Sequence, residues 1–128
     1  MAADFSLPIL VVDDHRTMLA IIARQLHDIG FRDVDTVGDP VTALTMLGRR
    51  RYGAILSDWN MAPMDGLAFL RALRQDPKLA DIPFILITAE NRTEAVVEAR
   101  RLKVDGFILK PFDAALLKAR LASVLGPF

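Results

Sequence analysis

The chain has 128 residues, 52% of them hydrophobic, with no cysteine and with 16 basic residues set against 16 acidic ones. That length and apolar content suit one domain around one packed core. The even charge balance excludes a net field that would gather nucleic acid or an anionic membrane, and the missing cysteine excludes disulfides, thiolate nucleophiles and cysteine-based zinc sites.

Met1 to Pro8 contain no basic stretch followed by an apolar run, and no later stretch reaches membrane-spanning length, so a cytoplasmic protein is expected. A continuous apolar run, Ile9–Val12, comes first, followed by a helical stripe of Met18, Ile22, Leu26 and Ile29 that Gly30 closes. Val34–Val37 is a weaker run that fits an edge strand. Asp39-Pro40 opens a second helix, and the arginines that follow it, Arg49, Arg50 and Arg51, read as a solvated helix end favoured by the dipole. Further apolar runs stand at Ala54–Leu56, Phe84–Ile87 and Phe107–Leu109. Gly66 precedes a third helix, Leu117, Leu121 and Val124 stripe the last, and Gly126-Pro127 ends it.

Continuous rather than alternating runs suit strands buried on both faces of a parallel sheet. A strand–helix unit repeated five times with right-handed crossovers predicts an α/β, doubly wound, flavodoxin-like fold of strand order 2-1-3-4-5. The expected organisation is a single domain over residues 1–128, with its core at about 7–125 and no output domain.

In such a sheet, chemistry gathers outside the carboxyl ends of the strands. Four of the runs end in polar residues: Asp13 and Asp14 after the first strand, Asp58 after the third, Thr88 after the fourth and Lys110 after the fifth. Carboxylates brought together repel and raise one another's pKa, so the cluster asks for a cation, and magnesium suits it as a hard, oxygen-seeking ion. Lys110 adds a compact positive charge and Thr88 a hydroxyl donor, the groups that stabilise phosphoryl transfer. Asp58, the lone acid on the central strand, is the candidate nucleophile. Each residue taken alone has a plainer role: Asp14 as a helix cap, Asp58 as a turn residue, Thr88 bonded to backbone, Lys110 solvated. Their coincidence on one sheet edge favours the site.

The segments Val11-Val12-Asp13-Asp14, Ser57-Asp58-Trp59-Asn60-Met61, Met64-Asp65-Gly66, Thr88-Ala89-Glu90 and Lys110-Pro111-Phe112 resemble the response-regulator receiver domains of two-component signalling, of the stand-alone CheY-like type. The resemblance spans about Leu7 to Leu125. It implies a phosphoryl group on Asp58, received from a histidine kinase or histidine phosphotransfer protein. It further implies magnesium held by Asp14, Asp58 and the backbone carbonyl of Asn60, with Asp13 close by or acting through water. Thr88 and Lys110 would contact the phosphoryl group, and Phe107 would match the switch aromatic. A downstream protein would read the face of the fourth helix, fifth strand and fifth helix.

Two departures stand out. Ala62 occupies the place where such receivers usually carry proline, with Pro63 next, and phenylalanine replaces tyrosine or histidine at position 107. Pro111 matches the family's cis-proline, although X-Pro bonds in general favour trans. His15 and His27 lack the neighbours of a clear metal motif and read as surface or helix-end residues; Met61, Met64, Phe69 and Phe84 read as packing. Two other functions compete. A haloacid-dehalogenase-like phosphatase needs a second acid two positions after its nucleophile, which Asp13-Asp14 does not provide, and a flavodoxin-like nucleotide binder needs a glycine-rich phosphate loop that is missing.

Overall fold

A computed structural model describes residues 4–89 and 93–126; Glu90 and Pro127, which belong to motifs named above, lie outside them. Five strands, β1 (Ile9–Val12), β2 (Val34–Val37), β3 (Ala54–Asp58), β4 (Phe84–Thr88) and β5 (Gly106–Leu109), alternate with α1 (Arg16–Ile29), α2 (Pro40–Arg49), α3 (Gly66–Gln75), α4 (Thr93–Arg101) and α5 (Ala114–Leu125). All neighbours pair in parallel, in the order β2-β1-β3-β4-β5. The expected doubly wound sheet is therefore present, with the order reversing between β1 and β3.

Both faces of the sheet are covered. Ile9, Val11, Leu56, Ile85 and Ile87 point toward Ile22 and Leu26 of α1 and Leu117 and Leu121 of α5. Leu10, Val12, Ile55, Phe84 and Leu86 point the other way, toward Leu47 of α2, Phe69 and Leu73 of α3 and Ala95 and Ala99 of α4. This two-sided burial is why β1, β3 and β4 read as unbroken apolar runs. β5 departs from that expectation: as the second edge of the sheet it leaves Leu109 43% exposed and Phe107 half-buried. Among the described residues no helix is long and apolar enough to cross a membrane.

Helix starts follow from side-chain chemistry. Asp39, Asp65 and Asp113 each accept a hydrogen bond from the backbone N–H three residues on, satisfying a donor that the first helical turn leaves open. Because Asp65 is the cap, α3 begins at Gly66 rather than after it. Arg50 is exposed at the end of α2 as expected but is also paired: its guanidinium meets Asp33 and Asp35 and lies 5.4 Å over the Tyr52 ring. Those partners stand 15 and 17 residues away in sequence, which is why the arginine run looked isolated.

Candidate functional site

The parallel register delivers the polar strand ends to one edge. Asp13 follows β1, Asp58 closes β3, Thr88 closes β4 and Lys110 follows β5, with the Lys110 N–H bonded to the Thr88 carbonyl at 2.8 Å. Lys110 Nζ donates to Asp58 Oδ1 at 3.3 Å and to Asp13 Oδ2 at 3.4 Å. One ammonium thus bridges two carboxylates that are only 1% and 4% exposed. Asp14 sits beside them but half open to solvent.

Asp58 carries a charge under opposing influences. Burial pushes its carboxyl above the ordinary carboxylate range, the Lys110 ammonium pulls it back, and the Asp13 carboxylate pushes it up again. Three carboxylates against one lysine leave the pocket short of positive charge, which a divalent ion bound by oxygen donors supplies. Ligand atoms from Asp13, Asp14, His15 and Asp58 all lie within 4.8 Å of one another, so the residues present fit such an ion.

The loop after Asp58 packs tightly against its backbone. The Gly66 N–H donates to the Trp59 carbonyl at 2.7 Å, and a Cβ at position 66 would fall 2.3 Å from the Asp58 carbonyl oxygen. Only glycine permits this approach, which fixes the acceptor strand's end against α3. Asn60 is exposed just beyond Trp59. In the same loop Ala62–Pro63 is cis; Lys110–Pro111 is also cis, following the resemblance and not the general preference of X-Pro bonds.

Thr88 is buried, and Phe107 does not join the pocket. In the register of β4 and β5, Thr88 faces Leu109 and Leu86 faces Phe107, so Thr88 and Phe107 share a sheet face, one step apart diagonally. The Phe107 ring meets Trp59 edge-on, with centroids 6.4 Å apart. Trp59 directly follows Asp58 and is itself buried, so the aromatic contact begins one residue from the candidate acceptor.

At α1 His15 is the exposed helix-end residue expected, and one reading needs correction: it does not lack acidic neighbours. The helix is capped at the His15 position, and it is Asp13, not Asp14, whose carboxylate accepts the His15 backbone N–H, at 2.9 Å. The His15 ring also meets the acids: its Nδ1 lies 3.0 Å from both Asp13 Oδ1 and Asp14 Oδ1. The run Asp13-Asp14-His15, three metal-capable residues at a strand–helix junction, was the available signal.

Comparison with known proteins agrees with this geometry. The family described as the response regulator receiver domain matches residues 9–122. Chemotaxis protein CheY-3 of Vibrio cholerae is 40% identical over 119 residues, 93% of this chain and 92% of that protein. Chemotaxis protein CheY of Pseudomonas aeruginosa is 39% identical over 116 residues, 91% of this chain and 94% of that one. Among solved structures, CheY4 of Vibrio cholerae superposes with a TM-score of 0.87 at 30% identity, covering 94% of this chain and 99% of that one. The receiver domain of sensor histidine kinase PA1611 from Pseudomonas aeruginosa, solved with magnesium coordinated in its active site cleft, gives 0.84 at 28% identity, covering 94% and 98%. With the acidic pocket at the sheet's switch point and the family match over nearly the whole chain, the protein belongs to the response regulator receiver domains, the signalling modules of two-component systems, and is CheY-like.

Proposed function

We propose that Asp58 accepts a phosphoryl group from a phosphohistidine donor and that the loaded state changes the protein's affinity for a partner. The observation that carries this reading is Lys110, whose ammonium lies 3.3 Å from Asp58 and 3.4 Å from Asp13, both of them buried. In the transfer, an Asp58 carboxylate oxygen attacks phosphorus, the P–N bond of the donor breaks, and the imidazole leaves with its electron pair. Water attack on the same phosphorus later breaks the new P–O bond, releasing inorganic phosphate and restoring the carboxylate. Lys110 and the Thr88 hydroxyl are assigned to the phosphoryl oxygens, where charge builds up.

Magnesium is assigned to Asp13, Asp14, Asp58 and the Asn60 carbonyl, where it would neutralise phosphoryl oxygens and offset the carboxylates' mutual repulsion. The magnesium in the cleft of the PA1611 receiver domain supports this assignment. A histidine kinase or histidine phosphotransfer protein is the donor class. An apolar groove of about 400 Å³ beside Lys110, lined by Met18, Ile21, Ala89, Pro111 and Phe112, supports close approach of such a partner.

Output is assigned to the α4–β5–α5 face, through Thr88 and Phe107. Exposed Val97 on α4 and Leu109 on β5 give that face apolar anchor points. If the Thr88 hydroxyl turns to a phosphoryl oxygen, space opens on the sheet face it shares with Phe107, and the ring's contact with Trp59 changes.

The acceptor is tested by incubating the parent and Asp58→Ala with acetyl phosphate and magnesium, followed by intact-protein mass spectrometry. The parent should gain one phosphoryl group and the variant none. Equal labelling of the variant, localised to another carboxylate, would move the acceptor away from Asp58.

A further inference from the structure

His15 plays no part in the reading above, although it stands inside the same cluster. Its side chain makes no capping hydrogen bond to α1. Instead the ring turns back to the carboxylates, with Nδ1 3.0 Å from Asp13 Oδ1 and 3.0 Å from Asp14 Oδ1 while the side chain stays 68% exposed. One ligand atom from each of Asp13, Asp14, His15 and Asp58 falls within 4.8 Å of every other. Donors bound to one ion lie about 2.0–2.2 Å from it, so side-chain movements of less than about 1 Å bring the set onto one centre.

We infer that His15 is a nitrogen ligand of the cation site and that it strengthens the site's preference for divalent transition ions beyond what its carboxylates alone would give. The inference rests on the magnesium-site assignment above. Neutral imidazole with its proton on Nε2 presents a lone pair at Nδ1. Imidazole suits nickel, copper and zinc, whereas carboxylate and carbonyl oxygens suit magnesium, calcium and manganese. A mixed set of three carboxylates and one imidazole therefore binds magnesium through its oxygens and gains an extra bond with nickel. The alternative role for the ring is a protonated counter-charge to Asp13 and Asp14. Those two roles differ in sign: removing a counter-charge strengthens every divalent ion, whereas removing a ligand weakens selectively those that favour nitrogen.

Calorimetric titration of the full chain with Mg²⁺ alone and with Ni²⁺ alone separates them, in the parent, His15→Ala and His15→Gln. Both substitutions should weaken Ni²⁺ by about 10- to 100-fold, the range that loss of even an outer-shell partner produces. The Mg²⁺ affinity should change by less than about threefold, because its donors remain. Pulsed electron paramagnetic resonance of the Cu²⁺-loaded parent should show coupling to an imidazole nitrogen that His15→Gln lacks. Equal shifts for both ions in the variants, or no nitrogen coupling in the parent, overturn the His15 inference and leave the magnesium site standing. If the parent binds neither ion, or if Asp58→Ala binds both as the parent does, the carboxylate site itself is wrong and His15 falls with it.

Discussion

The two ends of the same sheet handle charge in opposite ways. At the amino-terminal end, Arg74 of α3 places all its N–H groups: Nε on the Leu102 carbonyl, Nη1 on those of Ala80 and Ile82, and Nη2 on the Lys103 carbonyl and Asp105 Oδ2, all at 2.9–3.1 Å. Asp105 in turn accepts the Phe84 N–H at 2.7 Å. At the same end but by the β2 edge, Arg50 pairs with Asp33 and Asp35, and the Tyr52 hydroxyl donates to Asp35. At the carboxyl-terminal end, one lysine faces two buried carboxylates and a third close by. The first arrangement satisfies its charges and holds loops; the second leaves charge unbalanced and so keeps a place for ligands. Local instability at a site of binding is the usual cost of function.

Removing a charge should therefore destabilise one end and stabilise the other, and the larger effect belongs to Arg74. Its guanidinium is 13% exposed and ties the α3–β4 and α4–β5 connections to the starts of β4 and β5. Arg74→Ala leaves a half-open carboxylate and four backbone carbonyls without their donor, at a cost of about 3–5 kcal/mol. Urea unfolding measures it. A loss under about 1 kcal/mol would mean that water replaces the guanidinium and that this end is not specially secured.

At the other end the sign reverses. Asp58→Asn removes a buried charge whose protonated form burial already favours, and it relieves repulsion from Asp13 while Lys110 keeps Asp13 as partner. Without divalent ions the variant should be more stable than the parent by about 1–2 kcal/mol. Adding magnesium should stabilise the parent and shrink that gap. A variant less stable than the parent in metal-free buffer would show that Lys110 already balances the pocket.

How far the two ends could be read from sequence differs for the same physical reason. Asp13, Asp14, Asp58, Thr88 and Lys110 were legible because each ends or follows an apolar run, and a parallel βα fold brings strand ends to one edge. His15 was not, since its contribution arises from a ring turned back toward Asp13 and Asp14 at the helix cap, where periodicity says nothing. β1, β3 and β4 declared themselves by unbroken apolarity, yet Phe107-Ile108-Leu109 shows that the same signal occurs at an edge, so an apolar run alone does not separate an edge strand from a central one, whereas the expected strand order did. The amino-terminal end was closed to such reading. Arg74 depends on carbonyls of Leu102 and Lys103, 28 and 29 residues on, and carbonyl acceptors leave no trace in a sequence.

The smallest expected effect tests whether the amino-terminal network is satisfied through hydrogen bonds that resist ionisation. Tyr52 is buried and its hydroxyl donates to Asp35 Oδ2 at 2.5 Å. Burial first, and then the bond to the Asp35 carboxylate, push its pKa from 10.0 up to about 12, because a phenolate there would lose water and face a negative partner. Tyr52→Phe removes one hydrogen bond while Arg50 still holds Asp35, so the cost at neutral pH should be about 1 kcal/mol. A group whose folded pKa is raised contributes stability that is present below its unfolded pKa and lost as pH rises through the folded one. The parent's advantage over Tyr52→Phe should thus hold up to about pH 9, shrink above pH 10 and be gone by about pH 11. Taking the difference between the two proteins cancels the titration of the lysines, which both share. Urea midpoints at pH 8, 10 and 11 decide the point: a constant difference across that range would mean that the phenol ionises as easily folded as unfolded, and that Asp35 is held by Arg50 alone.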